Sequence, residues 1–155
     1  MSRLELILPD QAATELLARR IAPLLRPADV LLLAGELGAG KSTFARALLR
    51  ELAGDAALEV PSPTYTLLQS YPTRLGTVHH FDLWRLGDPA ELAELGWEEA
   101  LRDLVLVEWP ERLGPRLPPG ALQIHLTLAA DNARHAVLTG WPVRLEKLGR
   151  LEQLA

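Results

Sequence analysis

Cysteine is absent from this chain of 155 residues. Its absence excludes a disulfide framework, a thiolate nucleophile and any cysteine-based metal site, and it fits a reducing compartment. No run of about 18 apolar residues occurs, so the sequence offers no membrane-spanning helix. The opening stretch MSRLELILPD mixes Arg3 and Glu5 with apolar residues and has no signal-peptide core, so a cytoplasmic protein is expected. Excess positive charge is missing as well. Sixteen basic residues face 20 acidic ones, for a net charge of −4. A sequence-independent grip on nucleic acid needs clustered positive charge, and nothing in this balance supplies it. Lysine is scarce: only Lys41 and Lys147 are present, against 14 arginines.

What remains is ordinary globular material, 48% hydrophobic and 23% charged. The length predicts one domain over 1–155, with no repeat, low-complexity tract or linker. Leu4, Leu6 and Leu8 alternate, which predicts a first strand. Asp10 is placed to cap a helix whose apolar face is Leu16, Leu17, Ile21, Leu24 and Leu25, with Pro23 kinking or ending it. Val30–Ala34 is a short apolar run of the kind buried on both faces of a parallel sheet. A helix is expected from Ser42 to Leu52, stopped by Gly54. Two strands are expected at Tyr65–Tyr71 and Gly76–Phe81. Asp88 and Pro89 start a helix expected to run to about Arg102. Leu104–Val107 predicts a second buried strand, ending in Glu108. Leu122–Leu128 and Arg134–Leu138 predict a hairpin around Asp131 and Asn132, and Pro142–Ala155 a final helix. The predicted fold is α/β: a mainly parallel central sheet flanked by helices, with antiparallel hairpin additions.

One motif carries chemistry. Gly35-Glu36-Leu37-Gly38-Ala39-Gly40-Lys41-Ser42 fits G-x-x-x-x-G-K-[ST] at every fixed position, between a predicted buried strand and a predicted helix. Glycines let main-chain N–H groups turn inward around phosphate oxygens. Lys41 would bring positive charge to the β- and γ-phosphates, and the Ser42 hydroxyl is placed for Mg²⁺. The helix that starts there adds the positive end of its dipole. From the composition alone, about one match in a thousand such chains would arise by chance.

Binding a nucleotide is not yet turnover, which needs groups that hold Mg²⁺ and orient a nucleophile. Glu108, at the end of a buried strand, is the expected metal-side carboxylate. Trp109 follows it. Asp82, after His79-His80-Phe81, ends another strand and is placed to position the attacking water or the metal's water shell; His80 itself reads as structural. Ser62-Pro63-Thr64-Tyr65-Thr66 sets hydroxyls on a stiff segment of the kind that switches order around a γ-phosphate, with Thr64 as the contact. The only asparagine, Asn132, precedes Ala133, so no N-K-x-D is present, and no D-x-x-G follows the loop. Adenine is therefore the expected base. A small-molecule or nucleoside kinase would need an Arg-rich lid and a substrate pocket, and only scattered arginines (Arg74, Arg85, Arg112) stand in the centre. A non-catalytic nucleotide sensor is the other alternative.

With these residues in hand, the chain resembles the bacterial TsaE family (formerly YjeE), the small P-loop ATPases of tRNA threonylcarbamoyladenosine biosynthesis. The matching pieces are GELGAGKSTF at 35–44, VPSPTYTL at 60–67, HFDLWR at 80–85, ELGWEE at 94–99 and VEWPE at 107–111. Ser42, Tyr65 and Trp84 stand where the family commonly has Thr, Phe and Tyr. The resemblance implies a P-loop NTPase-like α/β fold, binding of ATP and Mg²⁺, and weak hydrolysis alone. It implies association with the TsaB–TsaD complex, with tRNA met only indirectly and the threonylcarbamoyl transfer left to TsaD. Carried over by motif, Gly35, Gly38, Ala39, Gly40, Lys41, Ser42 and Thr43 are phosphate and Mg²⁺ residues, Glu108 the metal-side carboxylate, and Asp82 and Trp109 function-linked. Gln11 and Arg134 are implied near the nucleotide by the N-terminal segment and the late hairpin.

Overall fold

The computed structural model describes the backbone of residues 3–154. Seven strands form one sheet in the order β1-β7-β6-β2-β5-β4-β3. They are β1 (Arg3–Leu8), β2 (Val30–Ala34), β3 (Leu68–Thr73), β4 (Gly76–Asp82), β5 (Leu104–Glu108), β6 (Leu122–Leu128) and β7 (Arg134–Thr139). The helices are α1 (Gln11–Ile21), α2 (Lys41–Ala53), α3 (Trp97–Ala100) and α4 (Pro142–Leu154). The inner strands β6, β2, β5 and β4 are mutually parallel. The outer pairs β1/β7, β7/β6 and β3/β4 are antiparallel. This is the α/β arrangement expected: a parallel centre with antiparallel wings.

The central strands read as continuous apolar runs because both of their faces are covered. On β2, Leu31 and Leu33 point into one core with Leu17, Phe44, Leu48 and Leu145, beneath α1, α2 and α4. Val30 and Leu32 point into the opposite core with Phe81, Val105, Val107 and Trp97. There Phe81 and Trp97 meet edge to face, 5.1 Å between ring centroids. Asp10 caps α1 as expected, its carboxylate accepting from the Ala13 N–H at 2.9 Å. Pro23 ends that helix as expected: after Ile21 the chain tightens into a 3₁₀ turn at Ala22–Leu24.

Two stretches differ from the sequence reading. The helix expected from Asp88 to Arg102 is two pieces, a 3₁₀ turn at Pro89–Ala93 and the four-residue α3. Gly96 stands between them at φ 78°, a left-handed conformation that no helix passes through. The strand expected from Tyr65 starts only at Leu68. Before it, Leu67 at φ 66° closes a turn in which its N–H donates to the Pro63 carbonyl at 2.6 Å. Pro72 lies in β3, where the sheet edge leaves its missing N–H without a required partner.

Parallel strands put their carboxyl ends on one side of a sheet, where α/β folds bind ligands. β2, β4 and β5 end there at Ala34, Asp82 and Glu108.

Candidate functional site

The loop between β2 and α2 begins at Gly35, whose φ of 141° suits only glycine and whose absent side chain matters. A Cβ there would strike the backbone carbonyl oxygen of Leu126 on β6. The Gly35 carbonyl accepts a hydrogen bond from the Lys41 ammonium, which also reaches the Glu36 carbonyl at 3.5 Å. Trp109 covers the ammonium, its ring centroid 3.5 Å away, a cation–π contact. Lys41 is buried, 5% exposed. Burial pushes its pKa below the usual lysine range, and the acidic groups Glu108, Glu111, Asp82 and Glu36 oppose that shift.

Glu108 and Asp82 are direct partners in the parallel β4/β5 register, so the two carboxylates emerge side by side. Both are buried. Glu108 is held at both oxygens: Oε1 accepts from the Ser42 hydroxyl at 3.4 Å, and Oε2 lies 2.7 Å from His80 Nε2. Asp82 Oδ2 accepts from the hydroxyls of Thr64 at 3.1 Å and Ser62 at 3.4 Å. Its Oδ1 accepts from the Trp84 N–H at 3.0 Å. The hydroxyl segment is thereby fastened across the site by one carboxylate. Trp84 and Trp109 form the aromatic wall, 4.5 Å between centroids.

Apart from His80, these side chains line one cavity of about 350 Å³, the size range of small-molecule sites. Gly38, Gly40, Lys41, Ser42, Thr43, Thr64, Asp82, Glu108, Trp109 and Arg134 all border it. Arg134, from β7, reaches the loop by donating to the Gly38 carbonyl at 3.2 Å. Gln11 borders a smaller hollow of about 70 Å³, which shares Gly40, Thr43 and Arg134 with the main cavity. Gly35 and Ala39 border neither: Gly35 turns the chain and anchors Lys41, and Ala39 is wholly buried in the core. Sequence reasoning left three cavity residues unassigned, namely Leu37, Ser62 and Trp84. Ser62 was findable, because it sits two residues before Thr64 on an extended segment and shares its side.

The donor set decides which ions fit. Among the described residues, no three His, Asp or Glu side chains are grouped to hold a metal by themselves. Mg²⁺ does not need that: it binds through one or two carboxylates, waters and phosphate oxygens. The Ser42 hydroxyl beside Glu108, with Asp82 adjacent, is an all-oxygen set of that kind.

A family model described as "Threonylcarbamoyl adenosine biosynthesis protein TsaE" matches residues 8–136. Relatives named tRNA threonylcarbamoyladenosine biosynthesis protein TsaE include one from Rickettsia felis. It is 42% identical over 130 residues, covering 83% of this chain and 75% of that one. The Bacillus subtilis relative of that name is 35% identical over 137 residues, covering 87% and 84%. The crystal structure of Bacillus subtilis YdiB superposes with a TM-score of 0.79 at 27% identity, covering 98% of each chain.

Proposed function

The chain belongs to the TsaE family, and from that premise we propose that it is a Mg²⁺-dependent ATP-binding and hydrolysing factor that acts with the TsaB–TsaD complex in threonylcarbamoyladenosine modification of tRNA. The observation that carries the reading is the convergence of Lys41, Ser42, Asp82 and Glu108 in one cavity at the carboxyl ends of three neighbouring strands.

Main-chain amides of residues 38–42 and the start of α2 bind the phosphates, with Lys41 turning from the Gly35 carbonyl to the β- and γ-phosphate oxygens. Ser42 and Glu108 would hold Mg²⁺, which when bound would supply positive charge beside the phosphates. Asp82 and Thr64 orient the attacking water, and the Ser62–Thr64 segment answers to the presence of the γ-phosphate. Trp84 and Trp109 exclude bulk water from one side. Arg134 and Gln11 border the nucleotide from β7 and α1. The acidic net charge suits a protein that docks on other proteins and leaves RNA contact to them.

The test is ATP turnover by the purified chain, alone and with TsaB–TsaD and tRNA. ADP release is expected to be slow alone and to rise with the partner pair. Lys41→Ala should weaken ATP binding about 100-fold, the weight of a charge-assisted contact of about 2–3 kcal/mol. Glu108→Ala should need more Mg²⁺ for nucleotide binding and lose Mg²⁺-dependent turnover. Release that rises only with an added phosphate acceptor would make the protein a kinase instead.

A further inference from the structure

His80 lies outside the cavity, one step deeper in the sheet than the carboxylates. β4 alternates its side chains, so His80 and Asp82 share a face. In the β4/β5 register Asp82 pairs with Glu108 and His80 with Leu106. His80 therefore sits beneath Glu108 and is buried, 1% exposed. Its Nε2 meets Glu108 Oε2 at 2.7 Å, while its Nδ1 has no hydrogen-bond partner among the described residues.

An ionised carboxylate only accepts hydrogen bonds, so the imidazole hydrogen of this contact belongs on Nε2. The orphaned Nδ1 is the informative detail. A histidine kept for core packing alone would be replaced without loss by an apolar residue, sparing a buried nitrogen its desolvation. Here the ring accepts that cost, and among the described residues its one side-chain hydrogen bond goes to Glu108. With Oε2 taken from below by His80, the oxygen left to Ser42 is Oε1, which accepts from its hydroxyl at 3.4 Å. Both side chains are buried, and Glu108 borders the open cavity, so its hydrogen bonds decide how it is held there.

We infer that His80 is the positioning residue for Glu108: its Nε2–H fixes the carboxylate so that Oε1 and the Ser42 hydroxyl present one joint face to Mg²⁺. Imidazole–carboxylate pairs of this kind behind a metal ligand ordinarily change metal affinity by about 10–100-fold when broken. The inference rests on the proposed metal role of Glu108.

The experiment measures binding of a fluorescent ATP analogue as Mg²⁺ is titrated, in the parent and in two variants. His80→Gln places an amide nitrogen near the position of Nε2. His80→Asn places it near Nδ1 and leaves Glu108 unsupported. The Asn variant is expected to need at least about tenfold more Mg²⁺ for half-maximal binding. The Gln variant should stay within about threefold of the parent, since it restores the donor. An Asn variant with the parent's Mg²⁺ requirement overturns the inference, and so do equal shifts in both variants, which would make His80 a core filler. A parent whose nucleotide binding ignores Mg²⁺ overturns the metal role of Glu108 and this inference with it. Nitrogen-15 shifts of the His80 ring in the parent give a reading that needs no variant. Hydrogen on Nε2 is expected, and a ring protonated at Nδ1 alone would refute the contact.

Discussion

Gly35 and Gly38 both have positive φ, 141° and 80°, yet the surroundings predict unequal consequences for alanine. At Gly38 a Cβ meets nothing within 4 Å, so only the backbone conformation is penalised. That penalty is about 1–2 kcal/mol. At Gly35 the Cβ meets the Leu126 carbonyl, a backbone atom of a sheet strand that cannot swing aside. Relief requires β2 to part from β6 or the loop to shift, which adds a cost of about 1–3 kcal/mol to the conformational one. Gly35→Ala is therefore expected to cost about 2–5 kcal/mol against about 1–2 kcal/mol for Gly38→Ala. For a chain of this size each kcal/mol moves the melting temperature by about 2–4 °C. Thermal unfolding of the nucleotide-free protein should show Gly35→Ala melting about 4–20 °C below the parent and Gly38→Ala about 2–8 °C below it. The Gly35 variant should also bind ATP more weakly, because the loop whose amides would face the phosphates shifts. Equal melting of the two variants, or a Gly35 variant that melts with the parent, would refute the steric argument.

Lys41 gives a pH prediction. Its folded pKa lies below the ordinary lysine value near 10.5 because burial disfavours the charge. Between the lowered value and 10.5 the unfolded chain holds more protons than the folded one, so stability rises with pH across that interval. Urea unfolding of the nucleotide-free protein should show this rise, and Lys41→Met should flatten it; identical slopes would count against the burial argument. Tyr71 packs in the core with a hydroxyl that has no hydrogen-bond partner among the described residues. Tyr71→Phe should be neutral or stabilising by up to about 1 kcal/mol in chemical denaturation, and a marked loss would reveal an unseen partner. Arg144 on α4 holds Asp29 through contacts of 2.6 and 3.2 Å, donates to the Leu24 carbonyl and stacks 3.6 Å from Trp141. Arg144→Ala should cost about 2 kcal/mol and lower the melting temperature by about 4–8 °C in a thermal scan.

What the sequence revealed followed how locally each feature is encoded. The loop at 35–42 is legible because its glycines, lysine and serine fall within eight consecutive residues. Glu108 was legible because a doubly buried strand announces itself as an apolar run, and its last residue falls at the sheet's carboxyl edge. The register of Asp82 with Glu108 is a property of strand pairing between separate segments, so neither segment states it alone. Gly38 and Arg134 are 96 positions apart, and only the closing of β7 onto β6 brings them together. The helix expected over 88–102 is broken because Gly96 turns left-handed within it, which the start signal at Asp88 and Pro89 does not reveal. The misplaced start of β3 came from a proline-led turn whose closing residue, Leu67, carries no turn signature in its side chain.

The rung shared by Asp82 and Glu108 limits how the gene can change length. One codon added inside β4 or β5 would rotate every later side chain of that strand to the opposite face. An acid would then be driven into the layer around Phe81 and Trp97. Insertions can therefore be absorbed in the stretch after α2 or at the β6–β7 tip, while these two strands must keep their residue count.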